Sequence, residues 1–232
     1  MLELKNFSNF ILKEVSFVLN GGEDLLILGE NGAGKSTLAK VLTGLLKSKN
    51  IFIDNFNINE IECKKRAELI NYIPSKLEIF DEYLRVFEYL ELCFIENIDK
   101  VKIENILKLL KIEHLKNSYC KDLSSGESQL LLLANALLHK AKITIFDELI
   151  SNLDIKRVKD VFDILNSNLL ESKIIITHNL EFAYALKYKI LYLNGGKIEF
   201  FGTNKEFFSK KNIEKYFNDT IKVLDNYVVF DL

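Results

Sequence analysis

A glycine-rich loop that ends in a lysine and a serine is the part of the sequence best suited to bind phosphate. Residues 29–36 read GENGAGKS and fit the pattern GxxxxGK[ST]. An apolar run precedes this loop (residues 24–28) and a helical pattern follows it (residues 36–46), which is the strand–loop–helix setting that the motif requires. Backbone N–H groups of such a loop curl around a phosphate at a helix N-terminus. Lys35 then reaches the β- and γ-phosphates, and the Ser36 hydroxyl ligates Mg²⁺. The sequence therefore predicts a site for a nucleoside triphosphate with Mg²⁺.

Two adjacent acidic residues, Asp147 and Glu148, follow another apolar run at residues 143–146. Mg²⁺ beside phosphate groups keeps several waters and takes one or two carboxylates, so Asp147 is a candidate ligand. Glu148 is placed where a base could accept a proton from an attacking water. Two acids after a strand are commonly only a solvated strand end, and it is the phosphate loop that favours the functional interpretation. Together, the loop and the acidic pair predict hydrolysis of the bound triphosphate.

Apolar runs of strand length alternate with helical patterns along most of the chain. Several of the runs are continuously apolar, as is typical of strands buried on both faces of a parallel sheet. The predicted strands are residues 15–19, 25–28, 51–53, 69–73, 143–146, 174–176 and 190–193. The predicted helices are residues 36–46, 101–110, 125–138 and 156–170. This alternation predicts an α/β fold.

Three parts of the chain depart from this alternation. The first twenty residues have the pattern of short antiparallel strands. Residues 77–122 carry apolar side chains at helical spacing and no strand pattern, which predicts a helical insertion. The last thirty residues begin with a helical pattern at 204–211, and residues 221–229 predict a terminal hairpin that turns at Asp225 and Asn226.

Composition argues against several classes of protein. Lys and Arg (31) nearly balance Asp and Glu (33), and only three of the basic residues are arginines, so no nucleic-acid partner is expected. The three cysteines are isolated and without CxxC spacing, which disfavours disulfides and a zinc site and fits a reducing cytosol. The longest uncharged stretch, residues 128–138, is well short of the roughly 20 residues of a bilayer span. The first residues also lack the pattern of a signal peptide.

The order of the motifs resembles that of the ABC ATPases. Residues 123–129 (LSSGESQ) resemble the family's LSGGQ signature, and the strand with Asp147 and Glu148 follows in the order found in the family. Residues 151–154 (SNLD) are similar to its D-loop, and residues 174–178 (IIITH) to the strand that ends in its H-loop histidine. The resemblance covers essentially the whole chain. It implies a P-loop NTPase (RecA-like) α/β core with an N-terminal antiparallel β subdomain and an inserted α-helical subdomain. The expected bounds within this single ATPase domain (1–232) are 1–75 and 124–205 for the core, 76–123 for the helical subdomain and 206–232 for a C-terminal extension.

The resemblance also implies how the motifs act. Two copies, or this chain and a similar ATPase subunit, would pair head to tail with ATP and Mg²⁺ between the phosphate loop of one and the signature of the other. Glu148 would be the general base, His178 the sensor of the γ-phosphate and Asp154 a link between the two sites. Ser124 and the backbone N–H of Gly126 would cap the γ-phosphate from across the interface. The remaining expected contacts are catalytic Lys35, Mg²⁺ ligands Ser36 and Asp147, and nucleotide contacts from Gly29, Asn31, Gly32, Ala33, Gly34, Lys35, Ser36 and Thr37.

An aromatic residue near the N-terminus is expected to stack on the adenine ring. Phe10 is the first candidate and Phe7 the second, and the alternative for either is a plain core residue. The chain has 17 phenylalanines, so the aromatic type alone does not decide between these interpretations.

Two departures from the family pattern bear on activity. Ser75 follows Pro74 where the family usually has a glutamine that contacts Mg²⁺, and a serine is too short to reach the ion, so we expect a water in place of the amide oxygen. In the signature, Ser125 replaces a glycine, Glu127 a glutamine and Leu130 an arginine; Ser125 fits only if its φ is negative. Because the phosphate-loop and acidic residues are intact, an active ATPase is favoured over a non-hydrolysing, nucleotide-gated module.

The partners implied by the resemblance are integral membrane permease subunits, with a substrate-binding protein, on the cytoplasmic face of the cell membrane. The helical insertion is expected to receive the permease through exposed residues such as those at 80–83 (FDEY). Residues 179–183 (NLEFA) and the terminal hairpin resemble ATPases that serve importers of iron siderophores, haem and cobalamin. Import of an iron chelate is therefore favoured over import of another nutrient, and export stays open as a further alternative.

Overall fold

The computed structural model describes residues 1–218, 220–224 and 227–230. The strands of this part of the chain are β1 (Leu2–Phe7), β2 (Val15–Leu19), β3 (Leu25–Leu28), β4 (Ile51–Ile53), β5 (Phe56–Asn57), β6 (Ile70–Ile73), β7 (Ile143–Asp147), β8 (Ser172–Ile176), β9 (Lys189–Asn194), β10 (Lys197–Gly202), β11 (Ile221–Leu224) and β12 (Tyr227–Phe230). Its α-helices are α1 (Lys35–Leu42), α2 (Cys63–Leu69), α3 (Val86–Glu91), α4 (Lys100–Leu109), α5 (Ser125–His139), α6 (Ile155–Leu165), α7 (Leu180–Leu186), α8 (Asn204–Phe207) and α9 (Lys210–Phe217). The chain forms two compact units. The first comprises residues 1–60 and 174–232, and the second comprises residues 61–173.

A parallel arrangement of strands forms the centre of the first unit. Strand β3 pairs in parallel with β8 on one side and β9 on the other, and β10 pairs antiparallel to β9. All four residues of β3 are buried. A strand with every side chain buried has no solvated face, and for this reason β3 consists of apolar residues only.

An antiparallel sheet forms the other strand layer of the first unit, in the order β2-β1-β4-β5. Strand β2 alternates buried and exposed residues, as a strand with one solvated face does. This confirms the antiparallel start of the chain. The structure adds β4 to this sheet, and also β5, which was not predicted because two residues are too few to show a pattern.

The C-terminal part of the first unit contains two helices where one was predicted. Helix α8 ends at Phe207 and α9 begins at Lys210. Phe207 is fully buried among aromatic rings, and its ring lies 5.8 Å from that of Tyr216 in a stacked arrangement. The predicted hairpin is confirmed as β11 and β12, which pack against α9 and α7 respectively. Its predicted turn residues, Asp225 and Asn226, lie outside the described residues.

The second unit combines a parallel strand pair with helices. Strands β6 and β7 run in parallel, with Tyr72 opposite Ile145. Helix α5 packs against α3, α4 and β6 and buries nine of its residues. Between residues 77 and 122 the regular elements are helices, as predicted, joined by turns and loops and by a bridge between Arg85 and Tyr119. Helix α2 was not predicted because only Leu69 of its seven residues is buried, which leaves no apolar stripe in the sequence.

Several helix ends differ from the predicted ones for local reasons. Helix α1 ends at Leu42, four residues early, because Gly44 adopts a left-handed φ of 73° just beyond its C-cap. Helix α6 ends at Leu165 instead of Leu170, where the Ser167 hydroxyl donates to the backbone carbonyl of Ile164. Within the described residues, no helix has both the length and the apolar character to cross a bilayer.

Candidate functional site

The phosphate loop joins β3 to α1 in the first unit, and Lys35 lies over it. The Lys35 side chain is buried, and its ammonium donates hydrogen bonds to the backbone carbonyls of Gly29 (2.8 Å) and Glu30 (2.9 Å). A buried ammonium needs such acceptors because desolvating a bare charge is costly. The loop thus holds a cation at the start of α1, where a phosphate anion would be attracted.

Two glycines of this loop cannot be replaced without strain. Gly34 precedes α1 with a φ of 102°, and a Cβ there would lie 2.9 Å from the side chains of Ile11 and Leu12. A Cβ on Gly29 would overlap the backbone carbonyl of Leu193. Both positions therefore require glycine for conformation and for space.

The start of α1 also fits an anion. Its N-cap residue, Gly34, has no side chain to cap the helix, and its first turn contains no acidic residue. The first N–H groups of a helix have no intrahelical partner, so a helix start after a glycine is suited to phosphate. Of the other predicted contacts, Asn31, Gly32 and Ser36 are exposed, Thr37 is half-buried and Ala33 is buried.

His178 lies two residues after the end of β8, and the structure brings it to the phosphate loop. The backbone N–H of Thr177 donates to the carbonyl of Ile27 on β3 over 3.4 Å. His178 is exposed and lines a cleft of about 160 Å³ together with Gly29 and Glu30. The predicted γ-phosphate sensor and the start of the phosphate loop therefore share one cavity of the first unit.

Phe10 lies in a turn fixed by Asn9, which sequence reasoning missed. The Asn9 side-chain oxygen accepts hydrogen bonds from the N–H groups of Ile11 (2.8 Å) and Leu12 (2.6 Å), as in an Asx turn. Phe10 is 89% exposed, so its interpretation as a core residue is wrong. An exposed ring held by a turn is available for stacking, whereas the second candidate, Phe7, is half-buried.

Asp147 ends β7 in the second unit and receives a hydrogen bond that the sequence analysis missed. Asp147 is buried, and the Tyr72 hydroxyl on β6 donates to its Oδ2 over 2.9 Å. Burial and the adjacent charge of Asp147 raise the pKa of Tyr72 well above its ordinary value, so the hydroxyl remains a donor. Both strands were predicted from the sequence, but only their pairing in the structure shows that the side chains of Tyr72 and Asp147 meet.

Glu148 has a strained backbone. Its φ is 54°, in the left-handed region that few residues other than glycine adopt, at a cost of about 1 kcal/mol or more. Its backbone carbonyl accepts hydrogen bonds from the N–H (3.2 Å) and hydroxyl (3.0 Å) of Ser151, which stabilise the turn. Such strain is concentrated at functional sites, in agreement with the predicted role of Glu148.

The substituted signature is compatible with the start of α5. Ser125 is the first residue of the helix, so its φ is negative as required. Ser124 caps the helix through its hydroxyl oxygen, which accepts from the N–H of Glu127 (3.3 Å). In return, the Glu127 carboxylate accepts from the N–H (2.8 Å) and hydroxyl (2.6 Å) of Ser124. This reciprocal capping explains how a glutamate serves in place of glutamine, and the Ser124 hydrogen bonds lower the pKa of Glu127.

The signature lies against the D-loop within the second unit. A Cβ on Gly126 would come within 3.2 Å of the backbone carbonyl of Asn152, so a side chain there would displace one of the two segments. Asp154 is exposed and caps α6 by accepting from the N–H of Arg157 (3.0 Å). The next residue, Ile155, is 91% exposed.

Ser75 is tied to α5 through its backbone. The buried amide of Gln129 donates to the Ser75 carbonyl over 2.7 Å. The sequence pointed to Ser75 and, within the signature, to Gln129, but not to their contact, which spans 54 residues of sequence.

The chain is similar to known ABC transporter proteins. The family model for ABC transporters matches residues 12–151. An ABC transporter ATP-binding protein of Methanocaldococcus jannaschii is 34% identical over 220 residues, which cover 89% of this chain and 85% of that protein. One of Clostridium tetani is 33% identical over 195 residues, but the match spans only 44% of its length.

The solved structures show the same fold. The structure of a metal-chelate type ABC transporter in an inward-facing conformation matches with a TM-score of 0.79 at 22% identity, over 100% of this chain and 97% of that one. The predicted P-loop NTPase fold is confirmed. The family match and the similarity to the archaeal protein over most of both chains show that the chain belongs to the ABC transporter family, as an ATP-binding subunit with an ABC-type ATPase domain.

Proposed function

We propose that this chain binds ATP with Mg²⁺ and hydrolyses it in a head-to-tail dimer to power transport across a membrane. The observation that carries the proposal is the phosphate loop, in which the Lys35 ammonium is held by the carbonyls of Gly29 and Glu30 at the start of α1. A cation beside the positive end of a helix suits a polyphosphate. Nucleotide contacts from residues 29–37 are part of the same proposal.

The residues assigned to Mg²⁺ suit that ion. Mg²⁺ prefers oxygen ligands, and Ser36 and Asp147 supply a hydroxyl and a carboxylate. One oxygen of Asp147 accepts from Tyr72, and a carboxylate has a second oxygen to offer to a cation. When bound, Mg²⁺ neutralises charge on the phosphate oxygens. The Ser75 side chain would be too short to act as a ligand, and a water would take the place of the family's amide oxygen.

The reaction is the transfer of the γ-phosphoryl group to water. The Glu148 carboxylate accepts a proton from the attacking water while the water oxygen bonds to the γ-phosphorus. The bond between this phosphorus and the β–γ bridging oxygen breaks, and ADP leaves. Lys35 and His178 hold the γ-phosphate. In the partner copy, Ser124 and the N–H of Gly126 close over the same group.

Two further contacts complete the proposed dimer site. Phe10 stacks on the adenine ring, which its exposure in the Asn9 turn supports. Asp154 links the two nucleotide sites, and its exposure at the start of α6 leaves it accessible to a second copy. A similar ATPase subunit could take the place of the second copy.

Permease subunits in the membrane are the proposed partners, with this chain on the cytoplasmic face. The helical insertion exposes Phe80 (94%) and Tyr83 (75%), with the exposed carboxylates of Asp81 and Glu82 between them. Large apolar side chains in water favour burial against another protein. A substrate-binding protein outside the membrane belongs to the same proposal, and nucleic acid is not an expected partner.

Import of an iron chelate is the proposed transport reaction. The terminal hairpin of β11 and β12 and residues 179–183 support it, since both resemble ATPases of iron-siderophore, haem and cobalamin importers. The metal-chelate type transporter that matches the entire chain adds support at the level of fold. The alternative is a non-hydrolysing nucleotide-gated module, for which Ser75 and the altered signature are the supporting observations.

A phosphate-release assay on the purified chain distinguishes an active ATPase from a non-hydrolysing, nucleotide-gated module. We expect phosphate release from ATP in the presence of Mg²⁺ and none with excess EDTA. Lys35→Ala should weaken ATP binding at least tenfold in calorimetry, because it removes a cation from a polyphosphate site. Lys47→Ala, which removes the same charge from an exposed position, is the control. Tight ATP binding without phosphate release would favour the gating module instead.

A further inference from the structure

Tyr72 and Asp147 face each other on neighbouring parallel strands. Tyr72 is paired with Ile145, which lies two residues before Asp147 on β7. Because side chains alternate along a strand, Tyr72, Ile145 and Asp147 share one face. The phenol therefore reaches diagonally along this face to Oδ2 of Asp147 over 2.9 Å.

The hydrogen bond from Tyr72 limits rotation of the Asp147 carboxylate, whose oxygens would bind a cation. Asp147 is 4% exposed, so little water is available to hydrogen-bond its oxygens. A tyrosine ring has only two side-chain torsions, and here the strand pairing of β6 fixes its backbone. The donor at Oδ2 sets the plane of the carboxylate and leaves the other oxygen for a metal ion. Partners of this kind orient metal-binding carboxylates in other proteins.

We propose that Tyr72 is a positioning residue that holds Asp147 ready for Mg²⁺. The proposal rests on the function proposed above, since it takes Asp147 as the Mg²⁺ ligand. The orientation of Asp147 is more important in this chain, because Ser75 lacks the amide oxygen that a glutamine would offer to the ion.

Tyr72→Phe removes the hydroxyl and keeps the ring, and Tyr89→Phe is the matched control. Tyr89 is also half-buried in the second unit, and its hydroxyl accepts a hydrogen bond from Asn135 (3.1 Å). Both variants thus lose one phenolic oxygen and one hydrogen bond, but only Tyr72 contacts Asp147. The measurements are Mn²⁺ binding by electron paramagnetic resonance, with a non-hydrolysable ATP analogue, and the Mg²⁺ concentration that gives half-maximal phosphate release.

We expect Tyr72→Phe to weaken Mn²⁺ binding and to raise the half-saturating Mg²⁺ concentration, each by about tenfold. Saturating Mg²⁺ should restore turnover to within about twofold of wild type, because excess ion compensates for a poorly oriented ligand. Tyr89→Phe should match wild type in both measurements. The proposal is wrong if Tyr72→Phe binds Mn²⁺ like wild type, or if Tyr89→Phe shows the same loss. If the wild-type protein shows no metal-dependent nucleotide binding and no phosphate release, the proposed function fails and the role of Tyr72 fails with it.

Discussion

The side-chain amide of Gln129 donates a hydrogen bond to the backbone carbonyl of Ser75 over 2.7 Å. Gln129 belongs to α5, which begins in the signature, whereas Ser75 lies in the segment that follows β6. Gln129 is only 2% exposed, so water does not replace this bond readily. The segment in which the family glutamine is missing is therefore fixed to the signature helix by its main chain, independently of the side chain at position 75.

Gln129→Met should destabilise the second unit. The change keeps the approximate shape but removes the donor to the Ser75 carbonyl, and losing one partner of a buried hydrogen bond costs about 1–3 kcal/mol. The urea midpoint should fall with an unchanged slope. Ser128→Ala, at the preceding and half-buried position of α5, is the control and should change the midpoint little. An unchanged midpoint in Gln129→Met would show that the hydrogen bond adds nothing to stability.

Glu127 should make the stability of the chain depend on pH through its cap on α5. Hydrogen bonds from Ser124 lower the pKa of Glu127 from its reference value of 4.5. A carboxyl whose folded pKa is lowered contributes stability above its unfolded pKa and loses it as the pH falls through the folded pKa. The melting temperature of wild type should thus exceed that of Glu127→Gln at pH 7, and the difference should shrink from about pH 5 to pH 3.

The control for this measurement is Glu199→Gln, which alters an exposed glutamate of the first unit. Its melting temperature should follow that of wild type across the same pH range. A difference between wild type and Glu127→Gln that stays constant from pH 7 to pH 3 would contradict the assignment of the stabilising form to the carboxylate.

Phe10→Ala should weaken ATP binding without destabilising the fold. Aromatic stacking contributes about 0.5–1.5 kcal/mol, which corresponds to a loss of about two- to tenfold in affinity. Phe10 is 89% exposed, so its removal leaves no cavity. Calorimetry with ATP measures the change, and Phe80→Ala, at a position that is 94% exposed, is the matched control. Equal ATP affinity in Phe10→Ala and wild type would exclude the stacking role.

Ser75→Gln should restore a ligand to Mg²⁺. One added contact gives about 1 kcal/mol, or about a fivefold lower half-saturating Mg²⁺ concentration in the phosphate-release assay. The backbone anchor from Gln129 uses the carbonyl of residue 75, so it tolerates the change of side chain. Basal turnover should change less than in Glu148→Gln. A structure with Mg²⁺ and ATP in which Ser75 Oγ ligates the ion would contradict this prediction, as would inactive wild-type protein that Ser75→Gln rescues.

The sequence predicted those features that depend on local patterns. The phosphate loop was recognisable because its glycines and Lys35 have a fixed spacing, and β3 because a fully buried strand is continuously apolar. Helices α2 and α7 were missed because each has only seven residues, about two turns, which is too few for a helical period to show.

The contacts that were missed depend on long-range pairing. Tyr72 and Asp147 are 75 residues apart in sequence, and only the register of β6 with β7 brings them together. The contact between Gln129 and Ser75 depends in the same way on how α5 packs against β6. Phe10 differs, because the Asn9 turn that exposes it is local and could have been recognised from the asparagine.

The rate of phosphate release by Glu148→Gln, relative to wild type, tests the central claim most directly. Glutamine keeps the size of the side chain and the same left-handed backbone at this position, but it cannot accept the proton of the attacking water. With saturating ATP and Mg²⁺, we predict that the rate falls by about 10²–10⁴-fold while ATP binding is retained, and that Glu199→Gln keeps the wild-type rate. Phosphate release by Glu148→Gln at the wild-type rate would contradict the role of Glu148 as the base of an ABC-type ATPase.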